Sequence, residues 1–205
     1  AAWHGNAGLV EFLLRLLPRS RLTLAAAQAA FCTAAQNGHL GVLPLLAAHF
    51  RLPRGFVHAP ADGCPLVLSA WNGHLAIVQF LCRYFSLPPA ALPPAALYWA
   101  ACCGRADVVE FLCAHFRPPA RVATTPAGHS ALEVACANGQ LSALQALCRG
   151  VPLTAGDLQE AGCGAAALSA ARQAGHAHVA AYLRGRMGLG SGCLDDEDAD
   201  EWGDN

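Results

Sequence analysis

The sequence predicts an all-α fold in which one helix–turn–helix unit is repeated about five to six times. Two observations carry this prediction: a glycine recurs at intervals of 33, 35, 31, 35 and 36 residues, and the same apolar pattern surrounds it each time. The recurring glycines are Gly5, Gly38, Gly73, Gly104, Gly139 and Gly175. A period of roughly 20 to 50 residues is typical of solenoids and other repeat architectures.

The residues before each glycine predict the first helix of the unit. Small residues stand three to four positions upstream, such as Ala34 and Ala35 or Ser69 and Ala70. A large apolar residue stands seven positions upstream, at Phe31, Leu66, Leu97, Leu132 and Leu168. Spacings of three, four and seven residues put side chains on one face of a helix, and small residues there allow neighbouring helices to approach closely.

The residues after each glycine predict the second helix. Two apolar pairs follow, three to four residues apart, as in Val42-Leu43 with Leu45-Leu46, Ile77-Val78 with Phe80-Leu81, and Val108-Val109 with Phe111-Leu112. We expect these pairs to fill the space between stacked units. One unit cannot bury both of its faces, so the array needs several adjacent repeats for stability.

Two positions indicate where helices start. Asp107 is followed three residues later by Glu110, the spacing of a capping box, and we expect Asp107 to cap a helix. Pro44 falls in the first turn of its predicted helix, where a missing N–H is tolerated.

The repeated unit resembles the ankyrin repeats. The stretch from Ala61 to Leu75 reads Ala-Asp-Gly-Cys-Pro-Leu-Val-Leu-Ser-Ala-Trp-Asn-Gly-His-Leu, which is similar to the family's Gly-x-Thr-Pro-Leu-His-x-Ala-Ala-x-x-Gly-His stretch. Residues 128–139 are similar to it as well. The resemblance implies an ankyrin-type solenoid with a concave binding surface. We assign residues 1–188 to the array, with a truncated first unit.

Two departures from the family pattern alter what we expect of the loops. In the family stretch a His follows the Leu of Thr-Pro-Leu-His. Here that position holds Cys32, Val67, Tyr98, Glu133 and Ser169, which removes a usual loop hydrogen bond. The connections between units are rich in proline, as in residues 87–94. Because proline cannot donate to a ladder, we expect the hairpin loops to be short or degenerate.

Charge is distributed unevenly along the chain. Residues 195–204 hold seven of the 14 acidic residues. The rest of the chain, which we call the body, has 13 Arg and seven acids, a net charge of +6. We expect residues 189–205 to form an acidic, disordered tail, and the alternative is that the tail folds back onto the Arg-bearing body. The apolar content is interrupted by Gly and Pro, and no apolar stretch reaches the roughly 18 residues of a spanning helix.

The cysteines are expected to pack in the core. Cys82, Cys113 and Cys148 all lie nine residues after a recurring glycine, and no Cys-x-x-Cys pair or zinc-type spacing occurs. Cys102 and Cys103 are the exception, because they occupy the two positions before Gly104. A redox switch at this pair is an alternative that the sequence leaves open.

No grouping of residues predicts catalysis. His39, His74 and His176 each follow a recurring glycine, so the turn explains them. The sequence shows no Ser, His and acid grouping, no phosphate-binding Gly loop and no paired carboxylates placed by a motif. We therefore expect no enzymatic activity, no cofactor and no metal.

The candidate binding residues are the two positions before each glycine. They vary from unit to unit, and in the resembled family they line the concave surface. The residues are Trp3, His4, Gln36, Asn37, Trp71, Asn72, Cys102, Cys103, Ala137 and Asn138. Trp3 and Trp71 are the expected anchors, since aromatic residues are enriched at interface hot spots. The alternative for Trp71 is that it packs against a neighbouring unit.

These observations predict a protein–protein interaction scaffold that binds a partner protein through its concave face. One alternative is a targeting or regulatory module of a larger protein whose enzymatic part lies outside this sequence. Another is a spacer that binds nothing. We expect a monomer in the cytoplasm with an unidentified protein partner, and no nucleic-acid, membrane or small-molecule ligand.

Overall fold

The computed structural model describes residues 1–16, 23–57, 63–118, 130–151 and 163–187. These residues hold twelve α-helices and no β-strand, which confirms the predicted all-α class. The helices are α1 (Ala7–Leu16), α2 (Leu24–Gln36), α3 (Leu43–Phe50), α4 (Arg54–Val57), α5 (Pro65–Asn72), α6 (Leu75–Tyr84), α7 (Pro94–Cys102), α8 (Ala106–Phe116), α9 (Ala131–Ala137), α10 (Leu141–Gly150), α11 (Cys163–Gln173) and α12 (Ala177–Arg186).

The helices form a repeat-like series of pairs. We call α2, α5, α7, α9 and α11 the first helices, because each ends just before a recurring glycine; each of them packs against the next. We call α1, α3, α6, α8, α10 and α12 the second helices, because each follows such a glycine. Helix α1 packs against α3, α6 against α8, and α8 against α10. The two sets of helices therefore form two rows.

A glycine turn joins the two helices of each unit. All six recurring glycines have φ between +68° and +84°, the left-handed region that favours glycine. At Gly73, the following His74 donates its N–H to the carbonyl of Ser69 at 2.9 Å, which closes the end of α5. The period seen in the sequence is thus the period of a helix-ending turn.

The buried residues follow the predicted pattern in the first helices. The small pairs, such as Ala34 with Ala35 and Ala100 with Ala101, have no exposed surface. Ser69 is buried in the same way, and its hydroxyl donates to the carbonyl of Pro65 at 2.8 Å. A hydroxyl satisfied within its own helix can occupy a small core position at little cost.

From the second unit to the fourth, the first apolar pair after the glycine is buried, and one residue of the second pair is buried while Leu45, Phe80 and Phe111 are half-buried; the first unit departs from the expectation. Val42, Leu43, Ile77 and Val78 are all buried. In α1, Val10 is buried whereas Leu9 and Phe12 are exposed. The physical reason is that α1 packs on one side, against α3, and no other described helix covers its opposite side.

The predicted N-cap at Asp107 is wrong. Helix α8 already begins at Ala106, with Arg105 at the cap position, so Asp107 lies in the first turn and accepts the N–H of Val108 at 2.9 Å. The chain enters this helix two residues after Gly104, which leaves no extended residue at position 107. Its carboxylate there still interacts favourably with the helix dipole.

A capping box occurs elsewhere, at the start of α9. Ser130 accepts the N–H of Glu133 at 3.1 Å, and Glu133 accepts the N–H of Ser130 at 2.8 Å. Glu133 therefore supplies a local hydrogen bond at one of the positions where the family's His is absent. The prediction for Pro44 is confirmed, because it lies in the first turn of α3.

The described connection between α6 and α7 is irregular, as its prolines predict. It contains Ser86 with φ +48° and a 3-10 turn over Pro89–Ala91. Arg51 and Arg117 have the same left-handed conformation at the ends of α3 and α8. Most of the other connections, and the predicted acidic tail over residues 189–205, lie outside the described residues.

The core cysteines are buried thiols, as predicted. Cys82, Cys113, Cys136 and Cys148 are all buried and form no disulfide. Burial raises the pKa of Cys82 and of Cys113 to about 12. Burial, followed by the neighbouring Cys148 and Glu133, raises the pKa of Cys136 to about 12 as well. These groups therefore pack as small apolar side chains at neutral pH.

These pKa values predict a loss of stability in alkaline solution. Unfolded thiols ionise as the pH rises through about 9, whereas the folded ones stay protonated up to about 12, so the unfolded state binds fewer protons in this window. Each thiol is expected to lower the free energy of unfolding by about 1.4 kcal/mol per pH unit there, and to have no effect below pH ~8.

Urea unfolding at pH 8 and pH 10, in the presence of a reductant, measures this effect. In the Cys82→Ala variant the fall in free energy between the two pH values should be smaller by about 1.4 kcal/mol, because one titrating group is gone. An unchanged fall in this variant would contradict the assignment of Cys82 as a buried, protonated thiol.

Candidate partner-binding surface

The residues two positions before each glycine lie on the exposed side of the first-helix row. Trp3, Gln36, Trp71 and Ala137 are exposed, and Cys102 is half-buried. Trp3 is 62% exposed and Trp71 is 39% exposed. We call this side of the row, together with Tyr98, Trp99 and Glu133, the first-helix surface.

The residues one position before each glycine serve mainly to end the first helices. The Nδ2 groups of Asn37, Asn72 and Asn138 donate to main-chain carbonyls four residues upstream, each at 2.9 Å. One of the two amide donors of each side chain is therefore used within its own helix, and the amide oxygen has no such intrahelical bond among those described. The two other predicted residues at this position differ: His4 is exposed, and Cys103 is half-buried at the end of α7.

The main aromatic feature of the surface is a tryptophan pair that joins two units. The rings of Trp71 in α5 and Trp99 in α7 are stacked, with centroids 4.6 Å apart and planes at 17°. Tyr98 meets Trp99 edge-on at 5.3 Å and 88°. Trp71 thus packs against a neighbouring unit and still exposes a large part of its ring.

Sequence reasoning missed Trp99. It precedes Cys102 by three residues, so the helical period places both on one side of α7. A count of one helical turn back from the second position before each glycine would have found Trp99. The register between α5 and α7, which brings the two rings together, is not a local property of either segment.

A surface cavity continues this surface towards the C-terminal end of the row. It has a volume of about 470 Å³ and is lined by residues of α7, α9 and α11, including Tyr98, Glu133, Ser169 and Gln173. Burial, followed by Cys102 and Glu133, raises the pKa of the Tyr98 hydroxyl, which keeps it a donor at neutral pH. The cavity therefore offers hydroxyl, amide and carboxylate groups for hydrogen bonds between apolar walls.

Cys102 and Cys103 lie side by side at the end of α7, and both are half-buried. Both are free thiols, and burial, followed by the neighbouring Cys103, raises the pKa of Cys102. The amide of Asn138, at the end of α9, donates to Cys102 Sγ at 3.6 Å. Because the thiolate is the reactive form, the raised pKa makes Cys102 a weak nucleophile at neutral pH.

The main chain of this surface is held by side chains from the following unit. His39 Nε2 donates to the carbonyl of Trp3 at 2.8 Å, and His74 Nε2 donates to that of Gln36 at 3.0 Å. Arg105 Nε donates to the carbonyl of Trp71 at 3.3 Å. Each donor is the residue immediately after a recurring glycine. The exposed residues are therefore fixed on a rigid backbone.

No model of a known protein family matches this chain, and no curated protein sequence matches it closely enough to count as a relative. Within the described ranges, no three His, Cys, Asp or Glu side chains come together in a group that could hold a metal ion. None of the helices described above combines the length and the apolar character needed to cross a membrane.

The tryptophan pair yields a test with a matched control. Trp71 and Trp3 both stand two positions before a recurring glycine, but of these two only Trp71 stacks on a ring of another described residue. We expect Trp71→Leu to lower the free energy of unfolding by about 1 kcal/mol through loss of the stack. Trp3→Leu should change it by less than about 0.5 kcal/mol. Urea unfolding measures both, and equal effects of the two substitutions would contradict the stacked arrangement.

Proposed function

We propose that this chain is an ankyrin-type repeat solenoid that binds a partner protein through the first-helix surface. The repeated glycine turn, the small residues before it and the two rows of helices support the solenoid. The residues of the stretch from Ala61 to Leu75 support the ankyrin type. In such an array the first-helix surface is the concave face.

The observation that carries the binding function is the exposed tryptophan pair. Trp71 keeps 39% of its surface in solvent although it is stacked on Trp99. Large aromatic rings held rigidly by their neighbours contribute most of the energy of many interfaces, because they lose little conformational freedom on binding. The hydrogen bond from the Arg105 side chain to the main-chain carbonyl of Trp71 adds to this rigidity.

The charge of the surface favours an uncharged segment of the partner. In the five first helices the only charged residues are Glu133 and Arg172. The centres of protein interfaces are likewise depleted in charge and rich in aromatic residues. The carboxylate of Glu133 is held by the N–H of Ser130, so it contributes less to the recognition of a basic residue. We infer a partner segment with apolar side chains and main-chain groups available for hydrogen bonds.

The proposed site is for binding rather than catalysis. Among the described residues, the surface presents aromatic, amide and thiol groups, and none of its thiols lies beside a hydrogen-bonded base. The buried thiols of the core suit a reducing compartment, and we propose that the protein works in the cytoplasm.

Affinity capture with the intact chain tests this proposal. We compare the wild-type chain with Trp71→Ala and with Tyr84→Ala. Tyr84→Ala is the control. It removes an aromatic residue of α6 that is 48% exposed, comparable with Trp71, and whose ring also contacts two neighbours, Phe80 and Phe85. Circular dichroism of each variant establishes that it keeps its helicity.

We expect Trp71→Ala to lose a partner that the Tyr84→Ala variant retains. The purified partner should then bind Trp71→Ala at least about tenfold more weakly, since hot-spot aromatic residues contribute 2 kcal/mol or more. A partner that is retained by Trp71→Ala and lost by Tyr84→Ala would place the interface on the second helices and contradict the proposal.

A further inference from the structure

A row of arginines lies at the C-terminal ends of the second helices. Arg15 and Arg51 stand in this way at the ends of α1 and α3, and four more follow at the ends of α6, α8, α10 and α12. We define the arginine edge as these last four, Arg83, Arg117, Arg149 and Arg186. All four side chains are exposed. The helix dipole favours a cation at each of these ends, which explains the single residues but not their arrangement in a row.

Contacts between the helix ends bring Arg117, Arg149 and Arg186 close together. The ends of α8 and α10 approach so closely that a Cβ on Gly150 would lie 3.2 Å from Cys113 Sγ and nearer still to its Cβ. Arg186 donates to the carbonyl of Cys148 at 3.4 Å, which puts the end of α12 beside that of α10. Helix α6 packs along α8. With packed helices about 8–10 Å apart, the four arginines span roughly 30 Å.

The positive charge of this edge is not neutralised by the described part of the chain. The described residues include ten Arg and four acids (Glu11, Asp107, Glu110 and Glu133), a balance of +6. The one ion pair among them joins Arg15, at the end of α1, to Glu11, so the charge of that arginine is already compensated. Glu110 is the acid that shares a surface cavity of about 720 Å³ with Arg117 and Arg149. The edge therefore attracts negative charge.

We propose that the arginine edge binds the acidic segment 195–204 of the same chain. This segment has seven acids in ten residues: Asp195, Asp196, Glu197, Asp198, Asp200, Glu201 and Asp204. Ten extended residues reach about 33 Å, which matches the length of the edge. The charge of the segment is opposite to that of the edge.

The position of the chain's last described residue supports this occupant. Met187 directly follows α12, so the chain leaves the array at the arginine edge itself. Seven residues separate Met187 from Asp195, so the two Cα atoms are at most about 27 Å apart. A segment on so short a tether has an effective local concentration in the millimolar range. An acidic ligand from outside must therefore displace the segment before it binds the edge.

The experiment uses full-length chains and a fluorescently labelled synthetic peptide of residues 194–205. One chain is wild type. A tail-neutral chain carries Asp195→Asn, Asp196→Asn, Glu197→Gln, Asp198→Asn, Asp200→Asn, Glu201→Gln and Asp204→Asn. In the tail-neutral background, an edge variant carries Arg117→Gln and Arg149→Gln, and a matched control carries Arg15→Gln and Arg172→Gln. Fluorescence anisotropy at low and at physiological salt measures binding.

We expect the peptide to bind the tail-neutral chain, and to bind the wild-type chain about tenfold more weakly because the wild-type segment competes. The edge variant should also lose about tenfold, the control should stay within about twofold, and binding should weaken with salt. Circular dichroism verifies that both Arg variants fold.

Three results would overturn the proposal. Equal binding to the wild-type and tail-neutral chains would show that the chain's own segment does not occupy the edge. Equal losses in the edge variant and the control would place the peptide elsewhere. Tighter binding of a single-stranded oligonucleotide of equal charge than of the peptide would make the edge a nucleic-acid surface instead.

Discussion

The rest of the structure depends on one repeated contact. In each of the first five units, the recurring glycine is covered by the residue that directly follows the glycine of the next unit. His74 lies over Gly38, and a Cβ built on that glycine would lie 2.9 Å from the imidazole. Arg105 lies over Gly73 in the same way, at 2.7 Å from such a Cβ. His39, Gln140 and His176 repeat the contact on Gly5, Gly104 and Gly139.

This contact explains why the position is glycine. The turn requires a positive φ, and the side chain of the next unit also needs the space that a Cβ would fill. Gly175 has the same backbone conformation, φ +76°, but nothing within 4 Å of a built Cβ. Gly175 therefore needs glycine for its positive φ alone, so the effects of backbone conformation and of close packing can be measured separately in this chain.

The candidate binding surface depends on the same contact. The side chain that covers each of the first three glycines also donates a hydrogen bond to the carbonyl two residues before that glycine. Such a bond contributes about 0.5–1.5 kcal/mol, and here it also fixes the register between units. The close packing of Ala100 and Ala101 then brings α7 near α5, and Trp99 meets Trp71.

The sequence predicted the features that depend on local spacing. The glycine turns, the small buried residues and the core cysteines repeat several times with one period, so each unit reinforces the others. The helix start at Asp107 was wrong because one capping pair has no such reinforcement, and the turn before it determined where α8 begins.

The features that sequence reasoning missed depend on contacts between units. His74 was explained by its own turn, yet its bonding partner, Gln36, lies 38 residues away. Trp71 was expected as an anchor, but its partner Trp99 lies in the next unit. Three asparagines assigned to binding also use one amide donor each to end a helix, which only atomic geometry shows.

The most direct test of this account is a double-mutant cycle between Gly38→Ala and His74→Ala, with Gly175→Ala as the reference for backbone strain alone. Gly175→Ala should cost about 1–2 kcal/mol of unfolding free energy. In the wild-type chain, Gly38→Ala should cost about 1 kcal/mol more than Gly175→Ala, because it displaces the His74 imidazole and breaks the hydrogen bond to the Gln36 carbonyl. In the His74→Ala background, Gly38→Ala should cost no more than Gly175→Ala. Equal costs in both backgrounds would contradict the contact between units.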